Sequence, residues 1–492
     1  MAAEITRHGG GPLLSRREAL RRSGGAALAT AVGGVVLTAC GPAASGASGG
    51  ATASPAVQQP VIELRFQANN QGVSWNNTVI GLDQQYVDET FNAQNPGLRA
   101  TVDPAGWGNL GTQIGLSIAG KGYDDVVASC CSDFGLFASS GWADPLDSYL
   151  QRDNLSANLW SAGHYDALRL EGKQIGLPSY DGPAVMAYRQ DILDGLGLDY
   201  PADTWDSGQA LGLWQQATGK RADGKWRYGM RGLWFGPNHW QVWIKGWGGE
   251  LMNATQDRLL ANSPAVAAGL SFALNLYNNK IENPNGNDVG CLMRGTAVFS
   301  LCGGWDVFHL ATELGGTVKW DILPVPVWPA GRAVYDNIDF YALNRATAHP
   351  EHAWALLKYL TAEPDWQRFQ MRTTLIQPCL LSLWDEWETI VKSVVPPLGN
   401  KALHWYRDAA LGGYGWPSLT FRHSPVQANE LIGLWLGRML SRTVSVQEGL
   451  AQMERQVNAL QVASSAEQGQ AAAISARFPT QGRAIAAVTP GL

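Results

Sequence analysis

Glu171 to Trp205, EGKQIGLPSYDGPAVMAYRQDILDGLGLDYPADTW, is the stretch on which the fold turns. Gln174 to Leu177 makes a short apolar strand that stops at Pro178. Proline has no N–H for a ladder and fixes its own φ, so the chain is expected to leave the strand there. Ser179-Tyr180-Asp181-Gly182-Pro183 follows, a polar, glycine-containing connection with turn chemistry. A second apolar run, Ala184 to Tyr188, comes at once. Asp191 to Leu196 predicts a short helix with Gly197 as its stop, and Pro201 to Trp205 leads into another helix. We read Ser179 to Pro183 as a crossing between two lobes, with a binding cleft at the crossing.

Gly172-Lys173, Gly176-Leu177-Pro178, Tyr188, Asp191-Ile192-Leu193, Gly197-Leu198, Pro201 and Thr204-Trp205 stand in a fixed order. That order resembles bacterial extracellular solute-binding proteins of the sugar and oligosaccharide class, the maltose-binding-like receptors of ABC importers. Arg189 departs from it, since the family usually has asparagine there. The resemblance implies an α/β, two-lobed periplasmic-binding-protein fold of type II-like topology. Each lobe would be a central sheet flanked by helices, the two joined by hinge crossings. It places lobe 1 at 61–178 plus 336–377 and lobe 2 at 179–335 plus 378–462.

Of the 492 residues, 45% are hydrophobic and 16% charged, which predicts a well-buried globular body. Net charge is −6, with no large basic block after the first 22 residues, which argues against nucleic acid as a partner. Tryptophan is abundant at 21 residues; it fills cores, or offers a flat apolar face with a polar N–H to a sugar ring. The N-terminus has the look of an address. Arg16-Arg17 form a twin-arginine pattern, Gly24 to Val36 is uncharged and too short to span a membrane, and Leu37-Thr38-Ala39-Cys40 matches a lipobox. Residues 1–40 are expected to be a signal peptide, Cys40 the lipidated anchor to the membrane, and 41–60 a flexible Gly/Ala/Ser/Pro tether.

The body opens with an alternating strand, Val61 to Phe66, and a polar loop that carries the candidate ligand residues Asn70 and Trp75. A helix to Asn92 and a strand from Leu98 to Val102 follow. Gly106 to Gly111 matches G-x-G-x-x-G, but Asp103-Pro104 intervenes and the acids Asp124-Asp125 precede a strand instead of ending one. Dinucleotide binding is therefore not supported. After the Val126 to Ser129 strand, Asp133 either accepts hydrogen bonds from sugar hydroxyls or caps a helix.

Trp205 to Asn279 is helical in pattern and rich in aromatics, with Asn238 and Trp240 as further candidates in an aromatic loop. Gly295 to Ser300 followed by Gly303-Gly304-Trp305 resembles a family segment whose Trp stacks on sugar, so Trp305 is the leading stacking candidate. The crossing offers Tyr180 and Asp181. Asp336 and Asp339 stand where the family has glycines; each either bonds a ligand or caps a turn, with Asp339 favoured. Trp416 is an aromatic loop residue and a further candidate to line the cleft. Val426 to Leu440 predicts an amphipathic helix, Ser445 to Glu448 a capping box, and 463–492 a loosely attached tail. With Cys40 lipidated, five cysteines remain, of which Cys291 and Cys302 are one candidate disulfide. No cofactor or metal motif occurs; His349 and His352 flank a Pro350 helix start and suit a surface role.

Three readings follow. The first is a lipid-anchored receptor that binds a sugar or oligosaccharide, hands it to ABC importer permease subunits and performs no catalysis. The second is a secreted carbohydrate-active enzyme such as a glycoside hydrolase, which needs two flanking carboxylates. The third keeps the fold but takes another ligand, such as a polyamine.

Overall fold

Strand β1, Ile62–Gln67, pairs in parallel with β2, Leu98–Asp103, and helix α1, Val79–Val87, lies between them in the chain. The computed structural model that shows this describes residues 61–67, 79–103, 124–232, 240–284, 289–417 and 421–477. On the other side of β1 lies β3, Val126–Cys130, also parallel. Helices α2, Cys131–Ser140, and α3, Ala162–Ala167, follow. The chain then runs through β4, Leu177–Pro183, and passes directly into β5, Val185–Arg189, which belongs to a second sheet.

That second sheet is assembled from α4, Ser207–Ala217; β6, Gly219–Lys220; β7, Trp226–Arg231; α5, Gln241–Gly246; α6, Pro264–Asn278; β8, Ala297–Cys302; α7, Gly304–Leu314; and β9, Trp320–Leu323. Strand β10, Val334–Leu343, carries the chain back. The remainder includes α8, Pro350–Ala362; α9, His404–Leu411; β11, Gly415–Trp416; α10, Pro425–Leu440; and α11, Val446–Arg477. The first sheet has the order β11-β10-β3-β1-β2, with β4 paired onto β10; the second is β9-β5-β8-β7-β6. Leu64, Phe66, Ala100 and Val126 of the first sheet share a core with Trp354 and Trp366, whereas Met186, Tyr188, Trp214 and Phe299 share another with Trp328. The expected two sheets, each with helices against it, are present.

Four expectations need correction. The crossing is not a turn: β4 runs unbroken through Pro178 to Pro183. Its ladder with β10 shifts register between Asp339 and Phe340, next to the Phe340↔Pro178 pair. A bulge lets a ladder pass a residue without an N–H. Within the stretch expected to be helical from Trp205 to Asn279, β6 and β7 are strands. Gly229 makes β7 workable, because a Cβ there would collide with the backbone of Trp214 in α4. The C-terminal segment from Ala463 is helical as far as Arg477, because α11 continues through it, and it is attached at its start, where buried Ser464 hydrogen-bonds Ser424 at 2.7 Å. Cys291 and Cys302 are both buried and unbridged.

Candidate functional site

Strands β4 and β10 lie antiparallel, side by side, where the chain passes between the two sheets. Side chains alternate across a strand, and directly paired residues share a face. Tyr180 pairs with Asp339 and Gly182 with Asn337, so these four share one face; Asp181 pairs with Ile338 and Pro183 with Asp336, so these four share the other. All seven residues of β4 and all ten of β10 are buried. The crossing is thus a two-faced ribbon carrying ionisable groups on both faces.

On the first face, Tyr335 donates to Asn337 Oδ1 at 3.0 Å, and Asn337 Nδ2 donates to Asp339 Oδ1 at 2.9 Å. The Tyr180 ring folds over Gly182, which has no Cβ to obstruct it, and meets the half-buried Trp305 edge-on at 6.5 Å. Burial, then Asp339 and three further carboxylates, push the Tyr180 phenol well above its ordinary pKa, and its hydroxyl has no partner. Trp305 occupies the first turn of α7, where Gly303 and Gly304 leave space for its ring and for the buried Gln377 amide. Both amide atoms of Gln377 lack partners. Arg231, at the end of β7, donates through Nη1 to Ser300 Oγ at 3.1 Å and to Leu301 O at 2.8 Å, and lies 3.8 Å from Asp306. Its Nε is unpartnered. Cys130, paired with Asp339, ends β3, and Asp133 follows in the first turn of α2. Burial raises the Asp133 carboxyl against hydrogen bonds from Ser129, at 3.2 Å, and Cys130.

On the second face, His164 from α3 reaches between the two strands. Its Nε2 is 2.6 Å from Asp336 Oδ2, and its Nδ1 is 3.0 Å from Asp181 Oδ2. Burial alone would pull the imidazole down, but the two carboxylates hold it well above its ordinary pKa. Burial pushes the Asp181 carboxyl up to about 7, opposed by His164 and assisted by Asp336. His164, Asp181 and Asp336 bring metal-ligand atoms within 4.8 Å of one another. The carboxylates, however, sit at opposite ring nitrogens, where one ion cannot serve both; the geometry suits an imidazolium held from two sides. Beside this cluster opens a cavity of about 530 Å³ lined by Ser161, Ala167, Asp336, Leu411 and Trp416 among others.

Of the residues expected from sequence to meet ligand, the structure brings Tyr180, Asp339 and Trp305 to one face, with Asp133 at the end of the neighbouring strand. Asp181 lies on the opposite face. Trp240 is 1% exposed and packs in the core with Ile244 and Leu251, because it stands immediately before α5, whose Ile244 belongs to that core. One face of the Trp416 ring is covered by Lys245 Nζ at 4.0 Å, a cation–π contact in place of an open stacking surface. Asn70, Trp75, Asn238 and Cys40 lie outside the described residues, as does Gly106 to Gly111. Sequence reasoning missed His164, Arg231 and Asp306. Asp306 adjoins Trp305 and could have been found by extending that motif, whereas His164 sits in no recognisable pattern.

Comparison with known proteins agrees with this architecture. A binding protein of Brucella abortus (strain 2308) is 22% identical over 290 residues, 57% of this chain and 68% of its own. The sugar-binding protein MalE of Xanthomonas citri superposes with a TM-score of 0.66 at 18% identity, over 83% of this chain and 99% of that one. The cyclic alpha-maltosyl-1,6-maltose binding protein of Arthrobacter globiformis does so with a TM-score of 0.66 at 18% identity, over 82% and 99%. These likenesses establish the two-lobed fold. The model of the bacterial extracellular solute-binding protein family matches residues 78–365, more than half of the chain, and the chain belongs to that family.

Proposed function

We propose that the chain is an extracytoplasmic, lipid-anchored solute receptor of an ABC importer, binding a sugar or oligosaccharide between its lobes by hinge closure. Lobe 1 would comprise 61–178 plus 336–377 and lobe 2 179–335 plus 378–462, with β11 lent to the first sheet. The observation that carries this reading is the first face of the crossing ribbon. There Trp305 from one sheet's helix meets Tyr180, which is paired with Asp339 on the strands that join the sheets. An aromatic plane beside carboxylates and an arginine is the chemistry that grips a sugar: the ring stacks on C–H faces while charged groups take the hydroxyls. The sugar-binding structural relatives support the same ligand class. Cys40 would hold the protein to the membrane, and importer permease subunits would receive the ligand. No step of bond-making is assigned to any residue.

The test is a thermal-shift panel on the full chain with mono- and oligosaccharides, sugar phosphates and polyamines, each followed by mass spectrometry of the added compound. A ligand that binds only the folded state raises the melting temperature. The expected result is a shift with one sugar class, the sugar recovered unchanged. Trp305→Ala should weaken that affinity by roughly 10- to 100-fold, about 1.5–3 kcal/mol. Sugar cleavage would make the protein an enzyme, and a shift with polyamines alone would keep the fold and discard the sugar.

A further inference from the structure

The second face of the ribbon looks onto the 530 Å³ cavity, and that cavity is built unlike a packing defect. Besides His164, which also lines it, two of its polar side chains are deeply buried and incompletely paired. Ser161 is 7% exposed and its Oγ has no partner; Asp336 is 1% exposed and its Oδ1 has none. Interiors pair nearly all such atoms, because a buried acceptor left without a donor forfeits its hydration with nothing in return. Gly415 keeps the space in front of the carboxylate open, since a Cβ there would lie 2.5 Å from Asp336 Oδ2. Apart from His164 and Trp416 the remaining wall is small or apolar: Ala162, Ala167 and Ala410, with the exposed Leu381 and Leu411. One wall comes from α3 and the other from the end of α9 and the segment after it.

Charge completes the description. The His164 imidazole faces two carboxylates, Asp336 at 2.6 Å and Asp181 at 3.0 Å. One cation against two anions leaves an uncompensated negative charge whenever both carboxyls are ionised; Asp336 Oδ1 and both Asp181 oxygens accept no hydrogen bond, and of the two carboxylates it is Asp336 that lines the cavity. The cavity therefore offers a carboxylate oxygen that accepts no hydrogen bond, a neighbouring hydroxyl and apolar sides, with a volume in the range of small-molecule sites.

We propose that this cavity is a second ligand site, on the face of the crossing ribbon opposite Tyr180, Asp339 and Trp305, and that it takes a small primary alkylammonium. The ammonium donates to Asp336 Oδ1 and Ser161 Oγ, and the alkyl chain lies along Ala167 and Leu411. A charge-assisted hydrogen bond to a carboxylate is about twice as strong as a neutral one, which separates an amine from an alcohol of the same shape.

The experiment is calorimetric titration of the full chain with n-butylammonium chloride, with n-butanol and potassium chloride as comparison titrants. Expected are saturable butylammonium binding, at least about tenfold weaker binding of butanol, and no heat of binding from potassium. Asp336→Asn should remove the preference for the ammonium. Leu411→Lys alters only an exposed side chain at the mouth, so the fold is not at stake, and its built-in ammonium should compete with the titrant and abolish binding. Trp305→Ala should leave butylammonium binding intact even where it weakens a sugar. Absence of saturable butylammonium binding, equal binding of butanol, or indifference to Leu411→Lys would overturn the proposal. Loss of butylammonium binding in Trp305→Ala would put the amine on the other face of the ribbon and overturn it as well, while leaving the sugar reading standing.

Discussion

Asp83, in α1, is 1% exposed, and neither of its carboxylate oxygens has a partner. Burial pushes its pKa from 3.8 up to about 7. Below the lower value both folded and unfolded chains hold the proton and nothing is lost; above the upper one the folded chain must bury a charge. Asp83→Asn should therefore stabilise the protein at pH 8 by roughly 1–3 kcal/mol and have little effect at pH 4. Urea unfolding at the two pH values measures the difference, and a destabilisation at pH 8 would show that the carboxylate has a stabilising role. Single residues were also where sequence was least informative. Trp305 stands out in the sequence because glycines precede it in a recognisable order. His164 does not, because it lies on a helix while its partners Asp181 and Asp336 come from two distant strands, and no local spacing announces them. Trp240 was misplaced because an aromatic beside Asn and His has the same composition whether it faces a cleft or a core.

At the scale of elements, the strands of the first sheet were legible almost to the residue. Val61 to Phe66, Leu98 to Val102 and Val126 to Ser129 alternate or run apolar between turn signals, and the structure has Ile62–Gln67, Leu98–Asp103 and Val126–Cys130. The helix at Gln190–Leu196 ends at Gly197 with φ 66°, as its glycine implied. Strand β10 was not legible, since Asp336, Asn337 and Asp339 interrupt it with polar residues that only a ribbon buried on both faces can accommodate. Strand β7 was hidden in the same way by Arg227, Tyr228, Gly229 and Arg231. Gly229 carries a prediction of its own. Gly229→Ala pushes a methyl into the Trp214 carbonyl, so β7 and α4 must separate. The expected cost is about 1–3 kcal/mol, seen as a lower urea midpoint with an unchanged slope. An unchanged midpoint would mean that the strand and helix are less tightly apposed than the structure has them.

For the molecule as a whole, the ionisable interior sets a direction for stability with pH. Asp83, Asp124 and Asp181 are each raised to about 7, chiefly by burial, and His164 is raised by its two carboxylates against the effect of burial. All four bind protons more tightly folded than unfolded, so unfolding releases protons and stability declines as pH rises from about 4 through 7 and beyond. Asp153 and Asp257 are depressed, mainly by hydrogen bonds from Arg152 and Asn253, and act in the opposite sense only in acid. Melting temperature should therefore fall between pH 5.5 and pH 8.5; a rise over that window in calorimetry would contradict the charge states assigned to the crossing. The interleaved chain also dictates an order of assembly. Val126 in β3 waits for Leu343 in β10, and everything in the second sheet is synthesised between them. The first sheet is thus a long-range closure that no growing N-terminal fragment can complete, and pairings of that kind are slow and expose unpaired edges in the interim. A ribosome-bound chain stopped before Val334 would present β3 as an open edge, a template for aggregation, so a chaperone that shields that one edge would decide how much of the protein reaches its final form.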